Sequence, residues 1–143
     1  VAAATQGGSH VRPLVLIAED EPNIVESLTF LIEKAGLAAV SATDAALALQ
    51  AIRGLHPAVV ILDLMLPDAS GLEVLKAIKG NAAFKDIQVL VLTACGRDSD
   101  RAQALALGAE AYVTKPFSNR ELMAQVCSLA GGGAAGSAGS AGP

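Results

Sequence analysis

The chain has 143 residues, 52% of them hydrophobic and 17% charged, with a formal net charge of −4. That length supports one domain around one core rather than two, and the composition excludes an intrinsically disordered chain. The negative charge excludes a general nucleic-acid binder, which needs a basic face, and 3% aromatic residues without tryptophan exclude a stacking platform for bases or flavin.

Taken in order, residues 1–12 are small and polar, and Gly7-Gly8-Ser9-His10 reads as a cloning remnant or unstructured lead rather than a fold element. Residues 13–130 carry alternating strand and helix patterns. The first strand, 14–18, closes on Glu19 and Asp20. A helix starts near Pro22, a favoured first-turn residue, buries Ile24, Leu28, Leu31 and Ile32, and ends at Gly36. A weaker second strand spans 37–41. Thr43 is the expected cap of a second helix that buries Ala46, Leu47 and Ile52 and stops at Gly54. The third strand, 59–62, runs straight into Asp63, followed by Leu64-Met65-Leu66 and the turn Pro67-Asp68-Ala69-Ser70-Gly71.

A third helix begins near Gly71, carries Leu72, Leu75 and Ile78 inward and breaks at Gly80-Asn81. The fourth strand, 87–92, closes on Thr93. The fourth helix, 99–107, stops at Gly108. The fifth strand, 111–114, contains Tyr112 and closes on Lys115-Pro116. In the last helix Ser118 and Glu121 have capping-box spacing, and Leu122, Val126 and Leu129 face inward. Residues 131–143 contain only Gly, Ala, Ser and Pro and read as a flexible tail or linker.

No apolar run is long enough to span a bilayer, the first residues lack a signal-peptide pattern, and Cys95 and Cys127 form no CxxC pair or metal cluster. The expectation is a cytoplasmic protein with no membrane partner.

Strands alternating with helices imply parallel strands joined by right-handed crossovers, with helices on both faces. Near-continuous apolar strands agree, because parallel strands are buried on both sides. The fold class expected is a single (βα)5 doubly wound α/β sheet. All strand C-termini then share one edge, where open α/β sheets place their ligands. Glu19, Asp20, Asp63, Thr93 and Lys115 converge there. Crowded carboxylates need a cation, and oxygen ligands on a partly open rim suit Mg²⁺. Asp63 then serves as a nucleophile towards phosphorus, with Lys115, the Thr93 hydroxyl and nearby backbone N–H groups stabilising the equatorial oxygens. Each residue alone has a plainer explanation as a loop cap, strand terminator or surface charge; together on one edge they do not.

These motifs are Glu19-Asp20, Asp63 in DLMLPDASG, Thr93-Ala94, Tyr112 and Lys115-Pro116-Phe117, and with them the chain resembles the receiver domain of bacterial two-component response regulators, the CheY-like fold. The resemblance covers about 13–130. It implies strand order 2-1-3-4-5 and Asp63 as the phosphoacceptor. It implies Mg²⁺ held directly by Asp20 and Asp63, through water by Glu19, and by the backbone carbonyl of Met65. It further implies phosphoryl binding by Ala94 and Lys115, a cis Lys115–Pro116 peptide, and a switch formed by Thr93 and Tyr112. The partners implied are a sensor histidine kinase or phosphotransfer protein upstream, and an output domain or protein reached through helix 4, strand 5 and helix 5. Ala111 and Gln125 stand where receivers that dimerise through that face usually carry an acid and an arginine, which weakens the case for a homodimer.

An enzyme is the alternative. Haloacid-dehalogenase-like phosphatases place a second Asp two residues after the nucleophile. Here that residue is Met65, which cannot transfer a proton. A signalling switch with at most slow self-phosphorylation and self-dephosphorylation is therefore expected, since neither Met65 nor Cys95 can orient a hydrolytic water well. A flavodoxin-like flavin binder is weaker still. His10 and His56 read as surface residues, Cys127 as a small packing residue, and Asp68 as part of a turn without chemistry.

Overall fold

The computed structural model describes residues 12–94 and 97–131. The expectations for residues 1–11, for Cys95 and for 132–143 fall outside them. Five parallel strands, β1 (Leu14–Ala18), β2 (Ala38–Ala42), β3 (Val59–Leu62), β4 (Gln88–Thr93) and β5 (Ala111–Thr114), form one sheet in the order 2-1-3-4-5. Five helices connect and follow them: α1 (Pro22–Lys34), α2 (Ala45–Leu55), α3 (Gly71–Lys79), α4 (Asp98–Ala106) and α5 (Asn119–Ala130). This is the doubly wound arrangement that the alternation of patterns predicts.

The strands lack an apolar–polar alternation because both of their faces are covered. Period-two geometry sorts their side chains into two layers. Val15, Ile17, Val59, Ile61, Leu90 and Leu92 pack with Leu28 and Ile32 of α1 and Leu122 and Val126 of α5. Leu16, Ala18, Val60, Leu62, Val89 and Val91 pack on the other face with Ala48 and Ile52 of α2, Val74, Leu75 and Ile78 of α3, and Ala104 of α4. In-register pairing of Ala18 with Leu62 and of Thr93 with Thr114 brings the strand C-termini to a common edge.

Several local expectations are corrected. The cap of α2 is Asp44, whose carboxylate accepts from Leu47 N at 2.8 Å; it is not Thr43. With that start the inward positions are Ala45, Ala48 and Ile52, while Ala46 and Leu47 are exposed. The run Ala-Ala-Leu-Ala-Leu is apolar all round, so its periodicity cannot choose a face; close approach to the sheet selects the small residues. The helix also continues past Gly54 to Leu55. It ends on His56 in the left-handed region at φ 47°, whose N–H bonds to Ile52 O. Cys127 is exposed, one position beyond the buried Val126 and so rotated off the inner face of α5. β2 and β4 each lie one residue later than expected, and α4 begins and ends one residue earlier. The Ser118 cap is present, its Oγ accepting from Glu121 N at 3.2 Å.

Candidate functional site

The site lies on the C-terminal edge. Glu19 and Asp20 follow β1, Asp63 follows β3, Thr93 closes β4 and Lys115 follows β5. Backbone bonds fix these ends: Glu19 N donates to Ala42 O and Asp63 N to Ala18 O, both at 3.0 Å, and Lys115 N donates to Thr93 O at 3.0 Å. The acid-bearing loops are therefore extensions of the sheet ladder.

The Asp63 carboxylate is held at both oxygens. Oδ1 accepts from Met65 N at 2.9 Å and Oδ2 from Lys115 Nζ at 3.1 Å. Lys115 also lies 2.9 Å from Glu19 Oε1. That approach is an ion pair off the line of a hydrogen bond, because Glu19 Oε1 is buried and has no aligned donor. Oε2 of the same carboxylate accepts from Glu21 N at 3.1 Å. Burial pushes the Glu19 carboxyl up from its ordinary value; the Lys115 ammonium opposes this and the Asp63 charge adds to it. Burial alone would lower the Lys115 pKa, but the Glu19 and Asp63 carboxylates outweigh it and the net shift is upward.

Ligand atoms of Glu19, Asp20 and Asp63 all lie within 4.8 Å of one another. Three carboxylates against one ammonium leave a formal −2, which a divalent cation neutralises, and the unaligned buried oxygen of Glu19 is a further acceptor for it. The donor set is all oxygen, as a hard cation requires. The residues present therefore fit a divalent metal ion.

Thr93 is fully buried and Ala94 beside it is exposed on the edge. Tyr112 is buried against the α2–α3–α4 layer, with the Arg101 guanidinium over its ring at 5.4 Å. The Lys115–Pro116 peptide is cis. Met65 exposes its side chain at 62% and presents backbone to the site, so it offers no proton-transfer group. A cavity of about 550 Å³ opens beside Lys115, bounded by Glu21, Ile24, Ala94, Pro116 and Phe117.

Glu19, Asp20, Asp63 and Lys115 come together at one point of the edge, and Thr93 closes β4 on the same edge. Of the residues set aside, His56 lies on the surface as expected, whereas Asp68 does more than shape a turn. His56 has a partner, Asp86 at 2.9 Å, but the pair sits where β3 and β4 begin, at the opposite edge from the acids. Asp68, to which no role was assigned, accepts from Ala45 N at 2.7 Å and Ala46 N at 3.0 Å. No sequence signal reveals this, because 22 and 23 residues separate the partners. Gly71 is also more than a turn residue: a Cβ there would run into the Asp63 carbonyl oxygen and lie 2.8 Å from Leu64 Cα.

Residues 15–127 match the response regulator receiver domain family. The chain is 41% identical over 112 residues to the phosphate regulon transcriptional regulatory protein PhoB of Klebsiella pneumoniae, covering 78% of this chain and 49% of that protein. It is 40% identical over 112 residues to the sensory transduction protein RegX3 of Mycobacterium tuberculosis, covering 78% of this chain and 48% of the relative. The chain thus spans about half the length of the curated relatives it matches. Among solved structures, the receiver domain of Francisella response regulator 1452 superposes with a TM-score of 0.77 at 29% identity, covering 83% of this chain and 97% of that one. These likenesses leave the phosphatase alternative without support. With its fold, its clustered edge acids and this match, the chain belongs to the receiver-domain family of two-component response regulators.

Proposed function

We propose that Asp63 is a Mg²⁺-dependent phosphoacceptor and that residues 13–130 form the switching unit. The observation that carries this reading is the Asp63 carboxylate itself, at the centre of an acidic cluster and within 3.1 Å of the Lys115 ammonium. Glu19, Asp20, Asp63 and the Met65 carbonyl would hold the metal, which supplies charge neutralisation at the transferring phosphoryl group. An Asp63 oxygen attacks the phosphorus of a phosphohistidine on a histidine kinase or phosphotransfer protein. The P–O bond forms as the P–N bond breaks, and the released imidazole takes a proton from solvent. Lys115 and the Ala94 N–H stabilise the equatorial oxygens. The Thr93 hydroxyl is then drawn to the phosphoryl group, and Tyr112 reports the change to the face made by α4, β5 and α5. An output domain or protein, or a second copy, would read that face. The cavity beside Lys115 suits the approach of a donor. With no proton-transfer group at Met65, the acyl phosphate persists, so the protein is a switch rather than a hydrolase, and a cytoplasmic location fits its kinase partner.

Incubation with acetyl phosphate and Mg²⁺, followed by intact mass measurement, tests this. One added phosphoryl group is expected, lost with EDTA and absent in Asp63→Asn. Equal modification of Asp63→Asn would overturn the assignment.

A further inference from the structure

Asp68 lies on the turn after Asp63, and its carboxylate reaches across to another helix. Its two oxygens each accept from a different amide of α2, Ala45 N at 2.7 Å and Ala46 N at 3.0 Å. These N–H groups have no partner within a helix, and the positive end of the helix dipole favours the charge that fills them. The next amide, Leu47 N, is taken by Asp44. So α2 is capped twice, once by its own chain and once by the turn that follows the acceptor.

These bonds belong to a closed circuit that runs through Glu19 and Asp63 of the acidic cluster. Glu19 N donates to Ala42 O at the end of β2, and Ala42 leads within three residues to Ala45. Ala45 and Ala46 donate to Asp68. Within the turn, Met65 bridges to Ser70, and Gly71 N donates to Leu64 O at 2.9 Å. Met65 N donates in turn to Asp63 Oδ1, and Asp63 N returns to Ala18 O beside Glu19. Leu64 and Leu66 anchor the root of the turn in the core, while Pro67 and Asp68 are exposed. Through these two hydrogen bonds Asp68 ties the exposed tip of the turn to the start of α2.

We infer that Asp68 is a positioning residue for the acceptor: by clamping the 64–70 turn onto the start of α2, it holds the Met65 amide against Asp63 and the Met65 carbonyl in place at the metal site. This rests on the reading of Asp63 as phosphoacceptor given above. The physical reason is preorganisation, since a loop held by a remote hydrogen-bonded anchor does not have to be ordered when metal or phosphoryl binds.

The test compares the full chain with Asp68→Ala, Asp68→Asn and Asp44→Ala. Asp44→Ala removes a cap from the same helix without touching the turn, so it reports what loss of helix capping does by itself. Mg²⁺ affinity by calorimetry, the initial rate of acetyl phosphate labelling, and the melting temperature are measured for each. Asp68→Ala is expected to weaken Mg²⁺ binding and slow labelling by roughly tenfold, the low end of what loss of a contact that orients a metal ligand costs. Asp68→Asn, which keeps one acceptor oxygen, should recover part of the loss. Asp44→Ala should lower the melting temperature and leave Mg²⁺ affinity unchanged. If Asp68→Ala binds Mg²⁺ and labels like the parent, or if Asp44→Ala loses as much affinity, Asp68 acts only as a helix cap and the inference is overturned. Failure of the parent itself to bind Mg²⁺ or take a phosphoryl group would instead overturn the reading of Asp63, and the inference with it.

Discussion

Two close side-chain contacts of equal length sit at opposite edges of the sheet, in different surroundings. Lys115 and Glu19 approach to 2.9 Å at the C-terminal edge, with side chains 15% and 2% exposed. His56 and Asp86 approach to 2.9 Å at the N-terminal edge, 45% and 78% exposed. A cavity of about 540 Å³ lies beside the second pair, so an opening in the surface does not distinguish the two edges. Burial does. The second is a hydrogen bond in contact with water and gains little there. In the first, desolvation makes each charge costly unless the other is present, and this perturbs Glu19 and Lys115 together. Distance alone does not identify a functional pair; the environment into which the chain carries it does.

The sharpest way to break the comparison is Lys115→Ala. Removing the ammonium leaves Glu19 and Asp63 buried without a cation. The metal-free protein should lose about 3 kcal/mol, on the order of 10 °C in melting temperature for a chain of this size, and Mg²⁺ should restore part of it. Differential scanning calorimetry in EDTA and in Mg²⁺ measures both; an unchanged melt would mean that the buried acids do not depend on Lys115.

Asp20→Ala should act with the opposite sign in the absence of metal. It removes one of three carboxylates clustered within 4.8 Å. Relief of repulsion between unit charges at such a separation is worth on the order of 1 kcal/mol in a near-aqueous dielectric. The apo melt should therefore rise. The parent's gain in saturating Mg²⁺, roughly 2.7 kcal/mol at a hundredfold excess over Kd, should shrink or vanish in the variant. An apo melt below the parent's would contradict the repulsion argument.

The smallest effect is expected at the other edge. The hydrogen bond from His56 holds the Asp86 carboxyl below its ordinary 3.8. An acid with a depressed native pKa contributes stability that is present above the unfolded value and lost as pH falls through the native one. Asp86→Asn should thus leave the melt at pH 7 nearly unchanged and flatten the pH dependence of stability only in the acid range below 3.8. A loss at pH 7 as large as that of Lys115→Ala would erase the distinction between the edges.

The strands and their terminal acids were legible in the chain because a parallel strand buried on both faces is an unbroken apolar run. Val59–Leu62 stops at a charge for a reason that one dimension records. Parallel topology then places every such stop on one edge, so the order of strands along the chain groups Glu19, Asp63, Thr93 and Lys115. Pro22, Ser118 and Gly80 marked helix ends through local backbone chemistry. Where local chemistry was degenerate, reading failed. The inward face of α2, expected at Ala46, Leu47 and Ile52 among alanines and leucines of equal apolarity, lies at Ala45, Ala48 and Ile52, and the cap expected at Thr43 is Asp44.

Only the tertiary structure decided the relations between distant residues. That Asp68 fills the amides of α2, that Glu19 Oε1 is buried without an aligned donor, and that a side chain at Gly71 would strike the Asp63 backbone are consequences of packing among separate loops. The sequence by itself determined which residues can do the chemistry and on which edge they stand, because hydrophobic periodicity and strand direction are properties of the chain. The close alignment of those residues, and the turns that hold them there, come from close packing between segments, which leaves no periodic mark in any one of them.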